Sequence, residues 1–197
     1  TKKNYRLLKE EDINFNNVLG VPDYTYGWSK LTGEYLAKIA YKNHGINSVC
    51  YRPFSGYGED QDINYPFPNL CKNIINSRKT KTVHVWGDGK QTRSFLFIED
   101  CIDATLQFFN SDHHGPINIG SEEKVSINEM IEKIEKITNK EFKKNYQLDK
   151  PKGVRGRSSN NDLIRKLFKW EPKYNLYEGL KKTYQWIGED MKKKHNQ

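Results

Sequence analysis

Tyr26-Gly27-Trp28-Ser29-Lys30 opens a helical pattern that continues through Leu31, Tyr35, Leu36, Ile39 and Ala40 to Asn43-His44-Gly45. Ile46 to Arg52 follows as an alternating run with β-branched residues. Gly45 is a stop signal, because glycine alone enters left-handed backbone without steric cost. The run after it predicts a strand. Helix, tight turn and strand in that order are half of a βαβ unit, so the chain is expected to be α/β.

Reading outward, residues 1 to 23 are polar and irregular. Pro53 to Pro68 crowds three prolines, two glycines and three acids together and reads as loop. Helices are predicted over Asn69 to Ser77, Glu99 to Phe109, Ser126 to about Thr138, 160 to 168 and 176 to about 191, and strands over Thr82 to Trp86, Pro116 to Gly120 and 142 to 148. Gly87-Asp88-Gly89 predicts a turn, and Phe95 to Ile98 is a short apolar run. Ser126-Ile127-Asn128-Glu129 has the spacing of a capping box: the serine hydroxyl takes the Glu129 amide while the Glu129 carboxylate reaches back. No internal repeat interrupts this alternation of strands and helices.

Composition narrows the function. The chain has 197 residues, 35% hydrophobic and 13% aromatic, enough for a packed core and too apolar for intrinsic disorder. No stretch approaches the roughly 20 apolar residues that span a bilayer. Cys50, Cys71 and Cys101 are odd in number, far apart and without metal-ligand spacing. Disulfides and metal are therefore not expected, and a soluble, cytoplasmic protein is. The net charge of +8 invites a nucleic-acid reading. The densest basic runs, Arg78 to Lys81 and Lys192 to Lys194, come with no basic helix, zinc-finger spacing or RNP-like aromatics, so no nucleic-acid partner is expected.

Tyr26 and Lys30 lie four apart, hence one above the other on a helix face. An ammonium beside a phenol favours the phenolate and makes tyrosine a proton acceptor near neutral pH. Tyr5/Lys9, Tyr146/Lys150 and Tyr177/Lys181 share the spacing, so context must select among them. Only Tyr26 begins an amphipathic helix followed by a buried-type strand and then by the loop Arg52-Pro53-Phe54-Ser55-Gly56-Tyr57-Gly58. That loop stands at the carboxyl end of its strand, where open α/β sheets bind ligands.

These stretches, together with Trp86 to Phe95, Ile98-Glu99-Asp100 and Asn118-Ile119-Gly120-Ser121, resemble the extended short-chain dehydrogenase/reductases that modify nucleotide-diphosphate sugars. Val85 to Phe95 and Gly153 to Asn160 look most like the branch that epimerises GDP-mannose. The resemblance implies the C-terminal part of a Rossmann-type doubly wound parallel sheet plus a smaller mixed α/β sugar-nucleotide domain. Residues 1–58 would belong to the NAD-binding domain and 59–197 mainly to the substrate domain, with about 95–111 returning to the former. It further implies NAD as cofactor and a nucleotide-diphosphate sugar as substrate, a GDP-hexose such as GDP-mannose, turned over through a transient 4-keto sugar. Tyr26 would be the redox acid/base and Lys30 would hold the nicotinamide ribose. Pro53, Phe54 and Ser55 would line the nicotinamide, Ser55 also touching sugar. Gln91, Arg93, Arg155 and Arg157 would face the nucleotide diphosphate.

A homodimer packed through the Tyr-Lys helix is implied as well. The family's glycine-rich dinucleotide fingerprint does not occur, and the chain is therefore expected to be an inactive piece of a larger enzyme. Alternatives are a C4 epimerase, 4,6-dehydratase or reductase of another nucleotide sugar, or a non-catalytic sugar-nucleotide binding module. The lysine that the GDP-mannose branch carries after the Tyr57-Gly58 equivalent has no counterpart near Tyr65 or Pro66, and Ser55 stands where an asparagine is usual.

Overall fold

The computed structural model describes residues 7–13, 24–150 and 156–195. After a short 3-10 turn at Glu10–Asp12, the elements in chain order are α1 (Tyr24–His44), β1 (Val49–Pro53), β2 (Gly56–Tyr57), α2 (Pro66–Asn76), β3 (Thr82–Trp86), β4 (Thr92–Ser94) and β5 (Leu96–Phe97). They continue as α3 (Ile98–Phe109), β6 (Gly115–Ile119), β7 (Lys124–Ser126), α4 (Ile127–Thr138), β8 (Lys143–Gln147), β9 (Gly156–Arg157), α5 (Asp162–Phe168) and α6 (Leu176–His195).

The strands pair as β1–β6, β2–β5 and β3–β8, each parallel, and as a three-stranded sheet β7–β4–β9. β4 is antiparallel to β7 and parallel to β9. Parallel pairs demand crossovers, and the helices supply them. α1 ends as its sequence predicts: Gly45 sits at φ +65°, its N–H donates to Tyr41 C=O at 2.9 Å, and Ile46 N–H reaches Ala40 C=O.

Two cores form. The larger gathers Phe67, Cys71 and Ile74 from α2, Val83 and Val85 from β3, Met130, Ile131 and Ile134 from α4, and Leu180, Tyr184 and Ile187 from α6. The smaller holds Ala104 and Phe108 from α3, Ile117 and Ile119 from β6, Ile164 and Trp170. β5 serves both, Leu96 facing the smaller core and Phe97 the larger, because successive strand side chains point to opposite faces.

Three expectations need correction. The strand after α1 starts at Val49, not Ile46, because Gly45 to Ser48 is spent closing the helix. The Pro53–Pro68 stretch is not all loop: Gly56–Tyr57 pairs with β5, and α2 starts at Pro66, where proline's missing N–H costs nothing in a first turn. The third concerns the sheet β7–β4–β9, in stretches where no strand is predicted. Its strands are two or three residues long and carry no apolar alternation. Cys101 is half-buried beside the smaller core, and Cys71 is fully buried; all three cysteines are free thiols.

Candidate active site

α1 carries Tyr26, Lys30 and Glu34 at successive four-residue steps, which places them in one row. Lys30 Nζ lies 5.4 Å from the centroid of the Tyr26 ring, within reach of cation–π attraction. Tyr26 is 69% exposed, so its phenol is open to a ligand.

The row is anchored at Glu34. Arg52, the penultimate residue of strand β1, donates from Nε to Glu34 Oε1 at 2.7 Å and from Nη2 to Oε2 at 2.5 Å. Its Nη1 donates to Glu10 C=O at 3.0 Å. The Glu10 carboxylate in turn accepts the Asn118 N–H at 2.8 Å, and Asn118 Nδ2 donates to Leu8 C=O. Arg52 and Asn118 are register partners across β1 and β6, so one polar lattice joins both strands, α1 and the segment around Glu10. Burial, and after it the Glu34 charge, pushes the neighbouring Cys50 thiol up, which leaves it a poor nucleophile. A cavity of about 390 Å³ lies farther along α1, walled by Glu34, Cys50, Arg52, Tyr41 and His114; Tyr26 and Lys30 are not among its walls.

Pro53 directly follows Arg52. The next N–H, of Phe54, donates to Ile119 C=O at 2.9 Å, and Ser55 C=O accepts Leu96 N–H at 3.3 Å. Ser55 itself takes φ +46°, a left-handed conformation that a non-glycine residue adopts at a cost and that recurs at ligand sites. Gly120 is required behind it: a Cβ there would stand 2.4 Å from Ser159 Cβ and 3.2 Å from Phe54 Cβ.

Gln91 and Arg93 form a second group around β4. Gln91 Nε2 donates to Trp86 C=O at 3.1 Å, while its Oε1 is buried with no partner among the described residues. Arg93 Nη1 donates to Thr92 C=O at 2.7 Å. Arg93 is in register with Arg157 across parallel strands. For Arg157 the backbone alone is described, and Arg155 lies outside the described residues. The two groups are linked through the Leu8 segment, whose N–H donates to Ser158 C=O and whose C=O accepts Asn160 N–H, each at 2.9 Å.

Glu34, Glu10 and Asn118 were not anticipated as site residues. Glu34 carried a signal, since it extends the Tyr26/Lys30 row by one more step of four. Glu10 carried none: its partner Asn118 is 108 positions away.

Comparison with known proteins agrees with this fold. Residues 9–183 match the family model for GDP-mannose 4,6-dehydratase. GDP-mannose 3,5-epimerase of Arabidopsis thaliana is 38% identical over 183 residues, covering 87% of this chain and 46% of that protein. The chain thus spans about half the length of the curated relatives it matches. Among solved structures, the UDP-glucuronic acid 4-epimerase of Bacillus cereus, in complex with UDP-glucuronic acid and NAD, superposes with a TM-score of 0.81 at 29% identity over 95% of this chain and 58% of that one. The dTDP-glucose 4,6-dehydratase of Bacillus anthracis shares the fold, with a TM-score of 0.82 at 23% identity over 98% of this chain and 58% of that one. A family match over most of its residues and 38% identity to a curated relative place this chain in the GDP-mannose 4,6-dehydratase family, within the extended short-chain dehydrogenase/reductases.

Proposed function

We propose that the complete protein is an NAD-dependent nucleotide-sugar epimerase or dehydratase, acting on a GDP-hexose such as GDP-mannose. The observation that carries the reading is the Tyr26/Lys30 pair, set on a helix that Arg52 ties to the strand end bearing Pro53, Phe54 and Ser55. The residues present fit the nicotinamide end of NAD: a phenol, an ammonium and a loop whose Gly56 leaves open space. When bound, NAD accepts hydride from the sugar C4 and later returns it.

This chain's own residues handle protons and charge. Tyr26 Oη accepts the C4 hydroxyl proton, and Lys30 holds the phenolate that does so. The resulting ketone acidifies the hydrogens at C3 and C5. Arg93 and Arg157, with Arg155, hold the diphosphate, for which a planar guanidinium fork is suited. Gln91, two residues before Arg93, has a buried Oε1 with no partner among the described residues. We further propose that residues 1–58 and about 95–111 belong to the cofactor domain and the rest mainly to the substrate domain. The active form would be a cytoplasmic homodimer, its contact formed by the exposed Trp28, Tyr35 and Leu36 of α1. Among the described residues, no helix is long and apolar enough to cross a membrane.

The test is to incubate the complete protein with GDP-mannose in heavy water and follow the sugar protons by NMR. Deuterium at C3 or C5 of a recovered GDP-hexose supports epimerisation. Retained NAD without exchange keeps the redox fold and rejects this substrate. Tyr26→Phe is expected to lower kcat at least about a hundredfold, the scale of a lost general acid–base group.

A further inference from the structure

Arg52 and Glu34 are no part of the phenol–ammonium pair, yet they are built into the site more firmly than Tyr26 or Lys30. Their side chains are only 12% and 17% exposed, and the guanidinium spends two donors on one carboxylate and a third on the Glu10 carbonyl. An ion pair so withdrawn from water is an expensive way to gain stability, because desolvating both charges offsets most of their attraction. What it does fix is geometry. A guanidinium fork seated on a carboxylate allows one distance and one plane, which a lysine or an apolar contact does not.

Each partner lies next to one half of the proposed machinery. Glu34 is one helical turn beyond Lys30 and two beyond Tyr26. Arg52 is covalently joined to Pro53, the first residue of the loop that turns through the left-handed Ser55. The third donor pins the same guanidinium to Glu10, whose carboxylate holds the Asn118 N–H on the next strand. The helix therefore cannot slide or roll over β1 without breaking the fork.

We infer that Arg52 and Glu34 are a positioning pair, setting the distance and angle between the Tyr26/Lys30 row and the Pro53–Ser55 loop. The inference rests on the proposed redox reading of that row. A misplacement of about 1 Å between reacting groups can cost on the order of a hundredfold in rate.

The test uses the complete protein with its NAD and compares Arg52→Met, Arg52→Lys and the double variant Arg52→Met/Glu34→Leu. Arg52→Met strands a carboxylate and lowers both the melting temperature and kcat. The double variant replaces the pair by apolar side chains, an exchange that is often neutral for stability. It should therefore regain the melting temperature while kcat stays about ten- to a hundredfold down, with KM for the nucleotide sugar within about twofold. Arg52→Lys should recover part of the rate. If kcat returns with stability in the double variant, the pair is merely structural and the inference falls. A second measurement does not depend on turnover. Amide hydrogen exchange at Phe54 and along residues 24–34 should speed up in the double variant while α4 and α6 are unchanged. Unaltered exchange there overturns the inference too. If the wild-type protein turns over no nucleotide sugar, the proposed function fails by itself, and the exchange measurement still decides whether the pair holds helix to loop.

Discussion

Gly179 shows how a single hydrogen atom shapes this molecule. It lies in the first turns of α6, where glycine weakens a helix, yet a Cβ there would meet Tyr57 Oη at 2.1 Å and Phe97 Cδ2 at 3.0 Å. Tyr57 is packed between Phe67 and Phe97 at ring distances of 4.1 and 5.5 Å and has no room to retreat. Burial raises its phenol far above the ordinary range, so the hydroxyl stays protonated, a core group and not an acid. Gly179→Ala is expected to destabilise by about 1–3 kcal/mol through overpacking, despite alanine's better helix propensity. A urea midpoint equal to or above the wild type's would show that α6 can shift to make room. No local pattern announces this glycine, because the atoms that require it come from β2 and β5.

At the scale of elements, legibility followed hydrogen-bond locality. β3 occupies the predicted residues, α1 differs from its prediction mainly by starting at Tyr24, and α4 begins at the predicted capping box. There Glu129 N–H donates to Ser126 Oγ at 3.2 Å, and Ser126 N–H donates to Glu129 Oε2 at 2.6 Å. All of those signals lie within a few residues of the element they define. β4, β7 and β9 were illegible for the opposite reason: Thr92-Arg93-Ser94 becomes a strand only because Val125 and Arg157 arrive beside Arg93 from distant parts of the chain. The candidate site divided in the same way: the Tyr26/Lys30 row follows from spacing together with the neighbouring helix, strand and loop, and its Arg52 anchor, 18 residues from Glu34, does not. The capping box also has a pH signature. The Ser126 N–H, and after it the Ser126 hydroxyl, hold the Glu129 carboxyl below its ordinary value of 4.5. A depressed carboxylate adds stability that is fully present above that ordinary value and is lost as pH falls through the folded-state value. Glu129→Gln keeps the shape of the side chain and removes its charge, so its stability deficit should be largest near neutral pH and shrink in acid, where the wild-type carboxyl is protonated as well. A thermal-unfolding series from pH 7 to pH 3 in which the two proteins stay equally far apart would contradict this.

For the whole molecule, the question is what makes two cores one cooperative unit. The first turn of α3 supplies the joint. Asp100 Oδ1 accepts Lys173 N–H at 2.8 Å and its Oδ2 accepts Tyr174 N–H at 3.2 Å. Beside it, Glu99 takes the Tyr174 hydroxyl at 2.5 Å and Lys182 Nζ at 2.6 Å, and Asp103 takes Trp170 Nε1 at 3.1 Å. α3 belongs to the smaller core through Ala104 and Phe108, while the segment it grips leads into α6, a wall of the larger one. Burial pushes the Asp100 carboxyl above its ordinary value, against the two N–H donors that pull it down. The joint therefore works through two satisfied backbone amides more than through net charge. Asp100→Ala leaves both amides without an acceptor and should cost about 2–4 kcal/mol. Its more telling effect is on cooperativity. With the joint broken, α6 and the larger core can unfold without the smaller, and urea unfolding should broaden or split, with a smaller m-value than the wild type's. Exposed Glu99 and Lys182 offer a control, because Lys182→Met removes an ion pair of low value and should leave m unchanged. If Asp100→Ala instead moves the midpoint with an unaltered slope, β5 alone, with Leu96 in one core and Phe97 in the other, is enough to keep the two cores folding as one.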